Sequence, residues 1–217
     1  MKIAQYHGPR GKNDNVRFIK GEDESVLNTA WDRIYVTSLF SFEWKKISDS
    51  IDFAVKVANG QSNKVFVGGI AASLMQEDFI AESRWRGVRI ISGLLDKPPA
   101  ESLELDEFSE ELYSDDYDST PIEDLIPDYS IIDQIEYIYP VHDAYFTYAS
   151  RGCVRKCKFC GVPKLEGAQR DTESITAIVR GIEELYGPKK DLTLMDNNVV
   201  ASGNYKEIIA EIIDLGF

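Results

Sequence analysis

Three cysteines, Cys153, Cys157 and Cys160, fall within eight residues, and they are all the cysteines of the 217-residue chain. An odd, tightly spaced set cannot form a disulfide framework, because stapling bridges join distant segments. The fold must therefore be held by an apolar core. The chain is long enough for one, since chains above about 150 residues bury about 70% of their unfolded surface. The thiols are left for other chemistry, and clustered thiols read as metal ligands.

The hydrophobic pattern switches repeatedly between the strand period and the helix period. Residues 33–40 are β-branched and aromatic and predict a strand. A helix is predicted over 44–59, where Ile47, Ile51, Ala54, Val55 and Ala58 share a face and Gly60 follows as a stop. A short strand over 64–67 runs into Gly68-Gly69, a helix is predicted over 71–80, and a third strand over 88–92. Strands alternating with helices at this spacing imply a small parallel α/β unit of Rossmann-like type, with the bounds 1–96. Glycines after a strand let a ligand or backbone come close, but a plain turn explains Gly68-Gly69 as well.

Regular pattern resumes at residue 144. A strand over 145–149 leads into the cysteine loop, and a helix over 172–186 carries the stripe Ile175, Ile178, Val179, Ile182, Leu185 before Gly187-Pro188 ends it. A strand over 192–195 opens onto Asp196-Asn197-Asn198. Asn204 and Glu207 resemble a capping box for a last helix with Tyr205, Ile208, Ile209 and Ile212 on its stripe. The order is two βα units over 143–217.

Between these regions lies an acidic linker, 97–142, punctuated by proline, with a solvated stretch expected over 110–120. Of the 37 acidic residues, 15 lie between positions 98 and 150, where no lysine or arginine occurs. The remaining 22 face all 24 basic residues, so the net charge of −13 belongs to this segment. That balance gives no strong signal for nucleic-acid binding. No apolar run reaches the ~18 residues of a membrane helix, and the N-terminus lacks a signal-peptide core. A cytoplasmic protein is expected.

The cysteine loop reads Cys153-Val-Arg-Lys-Cys157-Lys-Phe-Cys160. Three thiolates can fill three corners of a [4Fe–4S] cube whose four corners are normally all held by cysteine. One iron is then open to a substrate or cofactor, by the logic that leaves a catalytic zinc one open position. Arg151, Arg155, Lys156, Lys158 and Lys164 surround the loop and would offset the charge of a thiolate-bound cluster. The alternative is a non-catalytic interaction module holding zinc or a cluster. For zinc, a fourth ligand would have to be His7, His142 or an acid.

Ser150-Arg-Gly-Cys153-x-x-x-Cys157-x-Phe159-Cys160, placed after a strand, resembles the cluster loop of radical S-adenosylmethionine enzymes. The resemblance implies that the three cysteines are iron ligands and that Phe159 lies against the adenine of S-adenosylmethionine. Reductive cleavage of that cofactor to a 5′-deoxyadenosyl radical is the implied reaction, with an electron donor such as flavodoxin or ferredoxin as partner. The family's second strand often ends in Gly-Gly-Glu. Here that place holds Met195-Asp196-Asn197-Asn198, and Asp196 and Asn197 are its candidate cofactor contacts.

The N-terminal part resembles the cobalamin-binding-type domains that precede some of these barrels, through Val67-Gly-Gly-Ile70 and Ile126-Pro-Asp-Tyr129. No Asp-x-His-x-x-Gly occurs to displace the lower base of cobalamin. Methylthiotransferases, relatives with a second cluster, are set aside because no further cysteines exist to hold one. The implied TIM-type barrel takes about six βα units, roughly 200 residues by analogy with full barrels, and two are present. The expectation is therefore an N-terminal fragment, inactive alone. Its exposed barrel edge would be hidden by forming a homodimer, by docking, or by local disorder. The substrate is not legible.

Overall fold

The computed structural model describes residues 1–94, 124–172 and 174–217. The solvated stretch expected over 110–120, and the acidic linker as far as residue 123, lie outside them. The chain divides into two compact units, one of Ile19–Ser119 and one of Met1–Phe18 with Thr120–Phe217. It opens with a short helix, α1 (Lys2–His7), that belongs to the second unit.

The first unit is a three-stranded parallel sheet in the order β1 (Ile34–Thr37), β2 (Val65–Gly68), β3 (Arg89–Ile90). Ile34 pairs with Val65 and Val67 with Ile90. Helix α2 (Trp44–Val57) joins the first two strands and buries Ile47, Ile51 and Ala54 against Val65 and Val67. The predicted helix over 71–80 is two helices, α3 (Ile70–Leu74) and α4 (Gln76–Ala81), broken where Met75 leaves helical geometry at φ −125°, ψ 33°. The break lets Phe79 turn inward, where its ring stands 4.9 Å from Trp44 and 5.7 Å from Trp85. Trp85 then needs a partner for its indole N–H and finds Asp52 Oδ1 at 2.7 Å.

Gly68-Gly69 has a structural explanation. Gly69 sits at φ +106°, and a Cβ there would lie 2.4 Å from the carbonyl oxygen of Ser38. The close approach seats fully buried Ser38, whose Oγ donates to Gly68 O at 2.8 Å and accepts the N–H of Ala72 at 2.9 Å. That inward turn also ends β1 at Thr37, short of the predicted residue 40.

The second unit is built on the parallel pair β4 (Ala144–Thr147) and β7 (Asp191–Leu194), with Ala144 opposite Asp191 and Thr147 opposite Leu194. Between them come the antiparallel bridge of β5 (Ser150–Arg151) with β6 (Arg170–Asp171), a one-turn helix α5 (Val162–Leu165), and helix α6 (Ile175–Tyr186). Helix α7 (Tyr205–Asp214) follows β7. The stripe of α6 buries Ile175, Val179 and Ile182 as its periodicity requires, and Ile208 of α7 joins them. This is the strand–loop–helix–strand–helix order expected over 143–217.

The capping box at Asn204 does not form. Asn204 makes no side-chain cap, and its amide donates to Asp171 Oδ2 at 2.6 Å instead. The α6 N-terminus is capped from α7: Glu211 Oε1 accepts from Ser174 Oγ and, at 2.7 Å, from the N–H of Thr176.

Residues 1–18, expected to belong with 30–96, pack with the second unit. Arg10 donates to the Tyr186 hydroxyl at 2.8 Å, and that hydroxyl donates to buried Asp128 at 3.0 Å. Burial, reinforced by Asp128, pushes the Tyr186 hydroxyl up to about 12. Part of the expected linker reaches the core: Tyr129 and Ile131 are buried, and the Tyr129 hydroxyl bridges Ala144 O and the N–H of Phe146. No helix among the described residues is long and apolar enough to cross a membrane.

Candidate metal centre

The cysteine loop hangs between two short strands. Register places Ser150 opposite Asp171 and Arg151 opposite Arg170, so the β5–β6 bridge closes the loop at its base. Gly152, at φ +77°, makes the turn into the loop. A Cβ there would meet Ala168 O at 2.4 Å, so only glycine lets the two stems approach. Cys153, Cys157 and Cys160 follow, all half-buried, and the N–H of Cys160 donates to Cys157 O at 3.1 Å. Arg155, Lys156, Lys158 and Phe159 are exposed around them, Phe159 at 94%.

Two carboxylates hold the approach to the loop. Asp196, just beyond β7, accepts the N–H of Ala149 at 2.9 Å through Oδ2, and both the N–H and the Oγ of Ser150 through Oδ1. Glu166, at the end of α5, accepts the N–H of Gly152 at 2.7 Å and the side-chain amide of Asn197 at 3.0 Å through Oε2. Its Oε1 faces Arg151 Nη2 at 3.6 Å, and the Arg151 guanidinium lies 4.0 Å over the Tyr148 ring. Amides at 149, 150 and 152, immediately before Cys153, are thus held by fixed anions, and charge-assisted bonds of this kind are the stronger ones.

A third set of contacts reaches sulfur. Cys153 Sγ is met by the N–H of Arg155 at 3.4 Å and by the Asn198 amide at 3.8 Å. Gln169 Nε2 bridges Asn198 O at 3.1 Å and Ser150 Oγ at 3.4 Å.

The structure therefore brings Asp196, Asn197 and Asn198 to the base of the cysteine loop, with Asp196 engaged by chain atoms. It does not gather the thiols: among the described residues no group of three or more His, Cys, Asp or Glu stands close enough to hold a metal ion. The donor set still suits an iron–sulfur cluster, since three thiols on one glycine-hinged loop supply soft sulfur ligands, and the cations beside them would offset the charge of a bound cluster. Sequence reasoning did not single out Glu166 or Gln169, and it named Asn198 only as the end of the Asp196-Asn197-Asn198 stretch. The available signal was Glu166, the one acidic residue over 151–170 among six basic ones.

Comparison with known proteins adds one relative. The chain is 23% identical over 210 residues to ribosomal protein uS12 methylthiotransferase RimO of Christiangramia forsetii, an alignment covering 90% of this chain and 41% of that protein. The chain thus spans less than half the length of the curated relative it matches. No family model matches, and no solved structure does. This distant similarity supports kinship with the radical S-adenosylmethionine enzymes at the level of the superfamily. The match falls in the branch set aside on cysteine count. The count itself stands at three.

Proposed function

We propose that this chain is part of a radical S-adenosylmethionine enzyme, in which Cys153, Cys157 and Cys160 hold a [4Fe–4S] cluster with one open iron. The observation that carries the reading is the three-cysteine loop that follows the parallel strand β4 and is closed at its base by the β5–β6 bridge, with its approach held by Asp196 just beyond the neighbouring strand β7. The superfamily-level similarity supports it. A cluster held by Cys153, Cys157 and Cys160 would supply one-electron reduction of S-adenosylmethionine, the chemistry of 5′-deoxyadenosyl radical formation, with a flavodoxin- or ferredoxin-type protein as the electron donor.

The chain's own residues bind and orient. The three thiolates are the protein ligands, and Arg155, Lys156 and Lys158 offset their charge. Phe159, exposed on the loop, is the apolar surface offered to the adenine. Asp196 is taken up by three hydrogen bonds within the chain, whereas Asn197 is exposed. Asn197 therefore carries the contact to the cofactor's ammonium, and Asp196 supports the strand end that carries the loop. On this reading 143–217 begins a barrel and the Rossmann-like unit precedes it.

Anaerobic reconstitution tests the proposal. About four iron and four sulfide per chain are expected, a brown colour with them, and neither after Cys157→Ser. Stoichiometric zinc with no iron uptake refutes it.

A further inference from the structure

We infer that Asn198 tunes the cluster site by donating a hydrogen bond to the sulfur of Cys153; the inference rests on the cluster reading above. Asn198 opens the single 3₁₀ turn Val199–Ala201, a place where an asparagine normally turns its side chain back to cap the turn's own amides. It makes no such cap. Its amide stands 3.8 Å from Cys153 Sγ, within reach of an N–H···S bond.

The backbone that carries this amide is fixed from two sides. Gln169 Nε2 holds Asn198 O at 3.1 Å and reaches Ser150 Oγ at 3.4 Å. Ser150, 1% exposed, is itself held by Asp196 at 2.7 Å through its hydroxyl. The tip of β7, the stem of the cysteine loop and the end of β4 are therefore one braced assembly, and its product is a side-chain donor aimed at one ligand sulfur. The N–H of Arg155 adds a second donor to the same atom at 3.4 Å.

Hydrogen bonds to ligand sulfur are one of the protein's levers on an iron–sulfur potential. A donor at sulfur offsets negative charge there and favours the reduced state, which carries one electron more. Asn198 therefore raises the potential and makes the electron easier to load. It is a positioning and tuning residue, since it touches a ligand and not the reacting atoms.

The test is the reduction potential of the reconstituted 217-residue chain, followed by EPR-monitored titration, in the parent, Asn198→Leu, Asn198→Asp and the exposed neighbour Val200→Ala. Asn198→Leu should shift the potential to more negative values at unchanged iron content. Asn198→Asp, which replaces the donor by an anion, should shift it further, and Val200→Ala should leave it in place. A second measurement needs no variant: with ¹⁵N-asparagine incorporated, the electron-spin-echo spectrum of the reduced cluster should show a ¹⁵N coupling. Parent potential in loaded Asn198 variants overturns the inference while leaving the cluster reading intact. If the variants do not load, absence of the ¹⁵N coupling in the parent overturns it. A parent chain that takes up no iron overturns both.

Discussion

Replacing Asp196 by alanine separates its structural role from any direct contact with a cofactor. In the structure its carboxylate accepts three hydrogen bonds, from the N–H of Ala149 at 2.9 Å, the N–H of Ser150, and Ser150 Oγ at 2.7 Å. Ala149 is 4% and Ser150 1% exposed, so both backbone donors lose a partner that water does not readily replace. An orphaned buried donor costs about 1–3 kcal/mol. Two of them, less the relief of no longer desolvating the carboxylate, put Asp196→Ala at about 2–4 kcal/mol of local stability. At about 1.4 kcal/mol per decade, that is roughly a 30- to 1000-fold rise in opening. Ser150→Ala removes the hydroxyl alone and should cost about 0.5–1.5 kcal/mol. Hydrogen exchange on the peptide spanning β4 and the start of the loop reads this directly, and it avoids assuming one cooperative transition for a chain of two units. Amides 149 and 150 should lose protection in Asp196→Ala while those of α2 stay unchanged. If Asp196→Ala exchanges no faster there than Ser150→Ala, the clamp contributes nothing beyond the hydroxyl contact and the reasoning fails.

Gly152→Ala should destabilise the second unit by about 2–3 kcal/mol, since it imposes both a left-handed backbone and a 2.4 Å approach of Cβ to Ala168 O; an unchanged thermal midpoint in near-UV circular dichroism refutes that. Glu211 supplies a pH signature. Burial acts to raise its carboxyl, but hydrogen bonds from Ser174, Thr176 and Ile175 outweigh that and hold it below the ordinary 4.5. Because its folded value lies below its unfolded one, the ionised group stabilises the fold above the unfolded value, and this contribution is lost as pH falls through the folded one. Glu211→Gln should therefore be less stable than the parent at neutral pH, with the gap closing as denaturation is repeated at pH values below 4.5. A gap that persists unchanged into acid contradicts the assignment.

What the sequence determined by itself was whatever depends on near neighbours along the chain. The stripes Ile47–Ile51–Ala54 and Ile175–Val179–Ile182 announced α2 and α6 because burial of a helix face leaves a period of 3.6 residues. The three cysteines announced a ligand loop because their spacing is the chemistry, whatever surrounds them. What joins distant positions had no such signature. Asp196 clamping Ser150, Asn197 meeting Glu166, Asn198 reaching Cys153 and Asn204 leaving its cap for Asp171 follow from the parallel register of β4 with β7 and the β5–β6 bridge. Residues 1–18 pack with the second unit for the same reason: Arg10, Tyr186 and Asp128 satisfy one another's polar groups across more than a hundred residues of chain. Periodicity reports which face is buried. Only the tertiary structure decides which polar group is waiting on the other side, because a hydrogen bond depends on distance in space and carries no trace in sequence order.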